Sequence, residues 1–303
     1  MNITALDMIP KTPKKWIDLA RADIDRVLES LIPSIHTWPV ALHQAQHHAV
    51  MAPGKRFRPL LCLAISEGLG VRRDVALRIG CVAEIVHTAS LILDDLPCMD
   101  DANLRRGRET VHLAFSESTA ILAATNLLNR AYGIVAGTLG LSTTQQVDII
   151  KSLSRSVGSN GLIAGQVADL ANSDMNIDIE KVETVNSMKT GALFDFIVQA
   201  AAIMGKASAA QSVQLSEFSK QIGLAFQLLD DLKDEIMSEA ESQKSCKRDI
   251  GKATLLALEG SDAAMARLSD YMDDARAAIM ESELSTDSIL KYIISKQFSL
   301  PSK

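Results

Sequence analysis

The sequence predicts an all-α fold, and three observations support this prediction. Aromatic residues make up only 4% of the 303 residues, whereas β-sheets draw on aromatic and β-branched side chains. The chain has only 16 glycines and 8 prolines, which favours helices. No stretch of strict polar–apolar alternation is long enough to require a strand. Hydrophobic residues account for 47% of the chain, enough to bury a sizeable core.

Helical periodicity predicts ten segments, which glycine and proline residues separate. The segments are 14–32, 40–51, 56–69, 73–96, 117–137, 143–171, 179–204, 208–236, 260–280 and 285–298. The segment 73–96 should end at Pro97, because proline clashes with the preceding helical turn. The run 190–204 is apolar on most sides and should be central. No repeat or low-complexity linker interrupts the chain, so we expect one domain over residues 1–303.

The net charge, the cysteines and the lack of targeting segments indicate where the protein works and which partners it binds. Lys and Arg number 31 and Asp and Glu number 37, a net charge of −6, whereas nucleic-acid binding needs a basic surface. The four cysteines form no Cys-x-x-Cys pair, which is typical of reduced, cytosolic proteins. The N-terminus lacks an apolar signal-peptide stretch, and the longest uncharged run, 131–147, is broken by glycines and glutamines. We expect a soluble, cytoplasmic protein with no nucleic-acid partner and no stable membrane insertion.

Two clusters of aspartates each follow an apolar helical run. The first comprises Asp94, Asp95, Asp100 and Asp101, and the second comprises Asp230, Asp231 and Asp234. Members of the second cluster are three and four residues apart, so they share a helix face. Like charges at the ends of apolar helices repel one another and are costly to desolvate. Mg²⁺ relieves both costs, because it prefers oxygen ligands and fills its other positions with water and phosphate. The clusters indicate a magnesium–polyphosphate site, and the alternative is two solvent-exposed helix ends.

Basic residues lie beside these clusters in the sequence. They occur in 54–59 (GKRFRP), in 104–108 (LRRGR), at Lys189, and at Lys244 and Lys252. Arginine binds phosphate through a planar fork and lysine through a compact point charge. Their adjacency to the carboxylates indicates phosphate groups bridged to the protein by metal.

The ordered motifs resemble those of the all-trans isoprenyl diphosphate synthases, of the bacterial farnesyl and geranylgeranyl diphosphate synthase type. They run from about Gly54 to Thr254 and comprise GKRFRP (54–59), EIVHTASLILDD (84–95), DDLPCMDD with LRRGR (94–108), GQVADL (165–170), MKTGALF (188–194), FQLLDDLKD (226–234) and DIGKAT (249–254). The resemblance implies the isoprenoid synthase fold, with the helices around a central active-site cavity, and a homodimer. It also implies Mg²⁺ as the cofactor, three ions per active site with substrate bound, with Mn²⁺ as a substitute.

Site residues follow from the same resemblance. It implies metal ligands at Asp94, Asp95, Asp100, Asp230, Asp231 and Asp234. It implies catalytic roles for Asp94, Asp95, Lys189, Thr190, Gln227 and Asp230. Isopentenyl diphosphate and the allylic diphosphate would bind to Gly54, Lys55, Arg58, His87, Arg105, Arg106, Lys189, Thr190, Gln227, Lys244 and Lys252. The expected chemistry is head-to-tail condensation of isopentenyl diphosphate with a dimethylallyl, geranyl or farnesyl primer, with metal and cations stabilising the departing diphosphate.

Product length depends on Ala89 and Ser90, five and four residues before Asp94. Helical rise places them about 6–8 Å below that carboxylate, where they should face the tunnel for the growing chain. The small Ala89 favours a C20 product, with C15 as the alternative. The sequence departs from the family pattern at Glu109, usually proline, and around Asn126, usually aspartate.

Two other classes of protein share part of this pattern. A class I terpene cyclase would share the first cluster and magnesium, but would usually lack the second cluster and GKRFRP. A di-iron carboxylate protein uses Glu-x-x-His twice in a helical bundle, and Glu84–His87 and Glu109–His112 have this spacing. Iron content would distinguish the di-iron class.

Overall fold

The computed structural model describes residues 12–171, 178–236 and 254–298, with the side chains of residues 235 and 236 excepted. Its helices are α1 (Pro13–Leu31), α2 (Val40–Val50), α3 (Phe57–Gly68), α4 (Arg73–Asp94), α5 (Val111–Ala114), α6 (Glu117–Ala136), α7 (Thr143–Val157), α8 (Leu162–Ala171), α9 (Ile179–Asn186), α10 (Ala192–Gly205), α11 (Ala209–Ile236), α12 (Leu255–Glu259), α13 (Ser261–Glu281) and α14 (Asp287–Gln297). The predicted all-α class is confirmed, and most predicted helices match observed ones to within two or three residues.

Helices α3, α4, α10 and α11 form the centre of the molecule. Helix α4 packs against α1, α2, α3, α6 and α10, and α10 packs against α3, α4, α7 and α11. Helices α4 and α10 are apolar on most of their surface, so they are stable only when neighbours cover every side. By contrast, α7 buries one face around Ile149 and Leu153 and begins with a capping box between Ser142 and Gln145, as expected for a peripheral amphipathic helix.

The predicted helix 143–171 is wrong in one respect, because it is two helices. α7 ends at Val157 and α8 begins at Leu162. The four residues between them are Gly158, Ser159, Asn160 and Gly161, a composition typical of turns. A Cβ at Gly161 would lie 2.1 Å from the carbonyl oxygen of Ser156, so the chain can fold back here only with glycine.

Two short irregular elements were not predicted. Residues Ser187–Gly191 form a π-helical turn that joins α9 to α10. The strands β1 (Leu104–Arg105) and β2 (Arg108–Glu109) form a two-residue antiparallel hairpin, whose turn contains Arg106 and Gly107 with φ of +53° and +74°. Each element carries residues of the candidate site.

Helix α4 is long and apolar enough to span a membrane, judged by length and composition alone. However, 78% of its most apolar window is buried inside the protein. Packing in the core accounts for its hydropathy.

Candidate active site

The first acidic cluster occupies the end of α4 and a compact turn. The amide of Asp100 donates a hydrogen bond to the carbonyl of Asp94 over 2.8 Å, and the amide of Asp101 donates to that of Leu96 over 3.0 Å. Asp101 has a φ of +50°, a left-handed conformation that aspartate tolerates better than most residues. These bonds fold the second pair of aspartates back towards the first.

Different surroundings separate the two aspartates at the end of α4. Asp95 is buried and accepts hydrogen bonds from Nε and Nη2 of Arg105, over 3.0 and 2.6 Å. Asp94 is partly exposed. Burial raises the pKa of Asp94 to about 6, against the opposing effect of Lys189, and the nearby Asp100 adds to the rise. Asp94 is therefore a desolvated carboxylate whose charge Lys189 and Arg105 compensate only in part.

The π turn holds Lys189 and Thr190. Lys189 Nζ lies 2.6 Å from Oδ2 of Asp169 on α8. Thr190 Oγ1 donates to Gln227 Oε1 over 2.6 Å, and Gln227 Nε2 donates to Asp231 Oδ1 over 2.8 Å. A π turn adds one residue to a helical turn and redirects side chains, and such turns are frequent at functional sites. Here it links both acidic clusters, since Lys189 is close to Asp94 and Thr190 connects through Gln227 to Asp231.

Two glycines allow neighbouring helices to approach the π turn closely. A Cβ at Gly165 on α8 would lie 2.4 Å from the backbone nitrogen of Lys189. A Cβ at Gly223 on α11 would lie 2.8 Å from the Cα of Gly191. Any side chain at either position would push the turn away from its neighbours.

The second acidic cluster lies at the C-terminal end of α11. Asp230 and Asp234 are partly exposed along the same stripe as Gln227, whereas Asp231 is buried. The charge of Asp230 raises the pKa of Arg58 on α3, although burial has the larger and opposite effect. The second cluster therefore lies near the N-terminus of α3.

A buried arginine begins the basic side of the site. Arg58 is 7% exposed, and its Cζ lies 4.7 Å from the centre of the Phe194 ring and 5.2 Å from that of Phe226. Burial, opposed by the charge of Glu84 and assisted by that of Arg106, lowers the pKa of Arg58 to about 10. Arg58 Nε is buried without a hydrogen-bond partner in the described part of the chain. It is therefore a desolvated cation that an anionic ligand would stabilise.

The pKa of His87 on α4 reports the electrostatic potential near Arg58 and Arg106. Its pKa lies well below the usual value, because burial and the charges of Arg58, Arg106, Arg105 and Arg56 all disfavour the imidazolium. A histidine that burial and four nearby cations keep neutral lies in a region of positive potential.

The remaining site residues named from the sequence fall into three groups. Gly54 and Lys55 are exposed in the turn before α3. Ser90 lies on the partly exposed face of α4 that also carries His87 and Asp94, whereas Ala89 is fully buried. Lys244 and Lys252 lie outside the described residues.

Three residues that contact the predicted site are absent from the set of site residues named from the sequence. Asp169 pairs with Lys189, and nothing in the twenty-residue spacing indicates this contact. Arg56 and Glu84 form a buried ion pair of 2.9 Å. Glu84 interrupts an apolar helical stretch, and such an interruption signals a buried partner. Its arginine partners also argue against its use as an iron ligand.

The acidic side chains determine which metal the site could hold. Within residues 12–171, 178–236 and 254–298, no three His, Cys, Asp or Glu groups converge to hold a metal ion by themselves. The donors of the two acidic clusters are carboxylates, which suit Mg²⁺. Mg²⁺ usually takes only one or two of them and completes its shell with water and substrate phosphate. The donor set therefore fits Mg²⁺ that arrives with a polyphosphate, and does not fit a di-iron centre.

Comparison with known families decides between the remaining classes. The family model for polyprenyl synthetase matches residues 39–293. The chain belongs to the polyprenyl synthetase family. It is 39% identical over 266 residues to a geranylgeranyl diphosphate synthase of Pseudescherichia vulneris, covering 87% of this chain and 85% of that protein. It is 41% identical over 268 residues to one of Pantoea ananas, covering 86% and 87%.

Solved structures agree with this assignment. An apo FPP/GFPP synthase from Zymomonas mobilis superposes with a TM-score of 0.84 and 33% identity, covering 95% of this chain and 99% of that chain. A geranyltransferase from Helicobacter pylori, complexed with magnesium and isoprenyl diphosphate, superposes with a TM-score of 0.86 and 26% identity, covering 95% and 98%. Family and fold therefore agree with the resemblance stated from the motifs.

Proposed function

We propose that this protein is a short-chain trans-prenyltransferase that condenses isopentenyl diphosphate with an allylic diphosphate. The observation that carries the proposal is the juxtaposition of two carboxylate clusters with a pocket of positive potential. The π turn links the clusters, Arg58 lies near Asp230, and His87 lies on the same face of α4 as Asp94. Such a site holds one diphosphate through metal and a second through cations.

The allylic diphosphate binds between the two acidic clusters in this proposal. Asp94, Asp95, Asp100, Asp230, Asp231 and Asp234 face it as the metal-binding side, and Arg105, Lys189, Thr190, Gln227, Lys244 and Lys252 contact its oxygens. Mg²⁺, when bound, neutralises the diphosphate and makes it a better leaving group. Three ions per site, and Mn²⁺ as a substitute, remain part of the proposal. Lys189 pairs with Asp169 and lies near Asp94. Its ammonium group can therefore exchange a protein carboxylate for the departing diphosphate as its partner.

Isopentenyl diphosphate binds at the basic side, to Gly54, Lys55, Arg58, His87 and Arg106. The unpartnered Nε of Arg58 supplies a donor that is already desolvated. Departure of the allylic diphosphate leaves a carbocation, the double bond of isopentenyl diphosphate attacks it, and a proton is lost to the departed diphosphate. Preorganised charges around the leaving group carry this mechanism, and no nucleophilic side chain is required.

The proposed product is geranylgeranyl diphosphate, with farnesyl diphosphate as the shorter alternative. Support comes from the small side chains of Ala89 and Ser90, one to one and a half turns below Asp94 on α4. Ser90 lies on the partly exposed face of the helix, and its hydroxyl donates back to the carbonyl of His87 over 2.9 Å. A bulky ring at either position would shorten the space available to the growing chain.

Assembly and location are part of the same proposal. Exposed apolar side chains on α5 and the start of α6, at Leu113, Ile121 and Leu122, support a homodimer, since monomers rarely expose such groups together. The charge of −6 argues against a nucleic-acid partner. We place the enzyme in the cytoplasm without stable membrane insertion.

Incubation of the purified protein with Mg²⁺, isopentenyl diphosphate and each of the dimethylallyl, geranyl and farnesyl primers tests this function. We expect elongation to the C20 diphosphate, detected by product chromatography, and loss of product when a chelator removes the metal. No elongation with any primer would refute the proposal. A cyclic hydrocarbon formed from a primer without isopentenyl diphosphate would indicate a terpene cyclase.

A further inference from the structure

Glu84 is a carboxylate in the middle of an apolar helix. It lies on α4, ten residues before Asp94, and is only 2% exposed. A buried carboxylate is costly unless cations and hydrogen bonds compensate it. The residues that provide this compensation come from two different loops.

Two arginines bind the same oxygen of Glu84. Arg56 Nη1, from the turn before α3, lies 2.9 Å from Glu84 Oε1, and Arg106 Nη2, from the hairpin turn, lies 3.2 Å from the same atom. Both arginines have left-handed backbones, with φ of +51° and +53°. A non-glycine residue keeps this conformation only where its surroundings enforce it. One carboxylate oxygen therefore joins two strained loops.

Arg56 uses its guanidinium entirely for the protein. Its Nε donates to Asp25 over 2.8 Å, and its Nη2 donates to the carbonyls of Val50 and Ala52 over 3.0 and 3.1 Å. With Nη1 on Glu84, every donor nitrogen of Arg56 has a protein acceptor. Arg56 is therefore a structural anchor for Glu84.

Arg106, unlike Arg56, has a guanidinium nitrogen that makes no hydrogen bond to the described residues. Its Nη1 is buried and has no hydrogen-bond partner among the described residues. A Cβ at Gly54 would lie 3.4 Å from both Cζ and Nη1 of Arg106, so the backbone of the turn packs against this guanidinium. Glu84 on one nitrogen and Gly54 beside the guanidinium hold Arg106 in place, while Nη1 stays available for an anion.

We infer that Glu84 is a positioning residue that fixes Arg106 for the diphosphate of isopentenyl diphosphate. The inference rests on the proposed function and deepens it. Glu84 does not touch the substrate. It holds the guanidinium of Arg106 in one orientation and ties the hairpin to the turn that carries Lys55 and leads into α3, where Arg58 lies. If Glu84 loses its negative charge, the positive charges of Arg106 and Arg58 repel each other without the carboxylate that now attracts both.

Steady-state kinetics of Glu84→Gln test the inference, with Asp25→Asn as the matched control. Glutamine keeps the size of the side chain and removes its charge. Asp25→Asn removes a carboxylate from Arg56 and leaves Arg106 untouched. We expect Glu84→Gln to raise the KM for isopentenyl diphosphate about tenfold or more, because a charge-assisted contact of the binding arginine is lost. The KM for the allylic primer should change less than about threefold, as should both constants in Asp25→Asn, whose carboxylate is half-exposed.

A double-mutant cycle separates positioning from general stability. If Glu84 acts through Arg106, adding Glu84→Gln to Arg106→Lys should raise the KM for isopentenyl diphosphate no further than Arg106→Lys alone. Multiplicative effects, equal changes in both KM values, or a Glu84→Gln variant that behaves like Asp25→Asn would overturn the inference. If Glu84→Gln fails to fold, Glu84→Asp, which retracts the charge by one methylene, must give the same selective rise in KM. Wild-type protein that elongates no primer would refute the proposed function instead, which the assay shows before any variant is compared.

Discussion

Gly165 on α8 is the position where one methyl group should disturb the active site most. A Cβ there would lie 2.4 Å from the nitrogen of Lys189, 2.7 Å from its Cα and 2.7 Å from the carbonyl carbon of Met188. Ordinary contact begins at 3.4 Å, so α8 or the π turn must move by about 1 Å to accept alanine. All three atoms belong to backbone, which cannot rotate away as a side chain could.

The movement should affect catalysis more than folding. Overpacking of this size costs about 1–3 kcal/mol of stability. Displacement of a positioning group by about 1 Å costs on the order of a hundredfold in rate. Whichever element moves, the 2.6 Å contact between Lys189 and Asp169 changes, because the two residues lie on the two elements that separate.

Gly165→Ala and Gly133→Ala should be compared by kinetics and by thermal denaturation. Gly133 lies within α6, and a Cβ there meets nothing within 4 Å. Alanine at position 133 should therefore be neutral or stabilising by up to about 1 kcal/mol. We expect Gly165→Ala to lose most of its kcat with the allylic primer while remaining folded. Activity within about threefold of wild type would show that the close approach of α8 does not position Lys189.

Three further outcomes can be checked with the same assays. Asp94→Ala and Asp230→Ala should each lower turnover at least about a hundredfold, because the proposed mechanism places both carboxylates on the metal-binding side of the leaving group. The exposed Asp18→Ala should leave turnover unchanged, and equal losses in all three variants would contradict the assignment. Ala89→Tyr should shorten the product, and because Ala89 is fully buried, it should also destabilise the protein by about 1–3 kcal/mol; an unchanged product spectrum in a folded variant would remove Ala89 as the determinant of length. Among the described cysteines, exposed Cys98 should react with an alkylating reagent in the native protein, and a diphosphate analogue with Mg²⁺ should slow the reaction; labelling by mass spectrometry that starts at the buried thiols would contradict the packing.

The helical frame was predictable because its signals are local. The apolar run of α4 and Pro97 together predicted a helix that ends at the first acidic cluster, and the helix ends at Asp94. The division between α7 and α8 also had a local signal, Gly158-Ser159-Asn160-Gly161. That signal is one turn long, and the apolar periodicity on both sides of it dominated the prediction.

The contacts that organise the site were not predictable in the same way. The π turn at Ser187–Gly191 lies inside a stretch with helical periodicity, and the close approach of Gly165 and Gly223 to its backbone is a tertiary contact that the local pattern does not indicate. The junction at Glu84 joins loops that lie 28 and 22 residues away in the chain. Pattern reasoning identifies an isolated charge in an apolar helix, but only the fold identifies its partners.

The hydrogen-bond chain at the π turn has a direction. Thr190 donates to Gln227, and Gln227 donates to Asp231, so each proton in the chain points towards the second acidic cluster. Threonine has one hydroxyl proton, and the proton donated to Gln227 is not available to a phosphate oxygen. Thr190 can therefore donate its hydroxyl proton to a diphosphate only after its bond to Gln227 breaks, so this one contact and the resting hydrogen-bond chain are mutually exclusive. Donation of the Thr190 proton to a bound diphosphate would thus remove one hydrogen bond from Gln227 on α11.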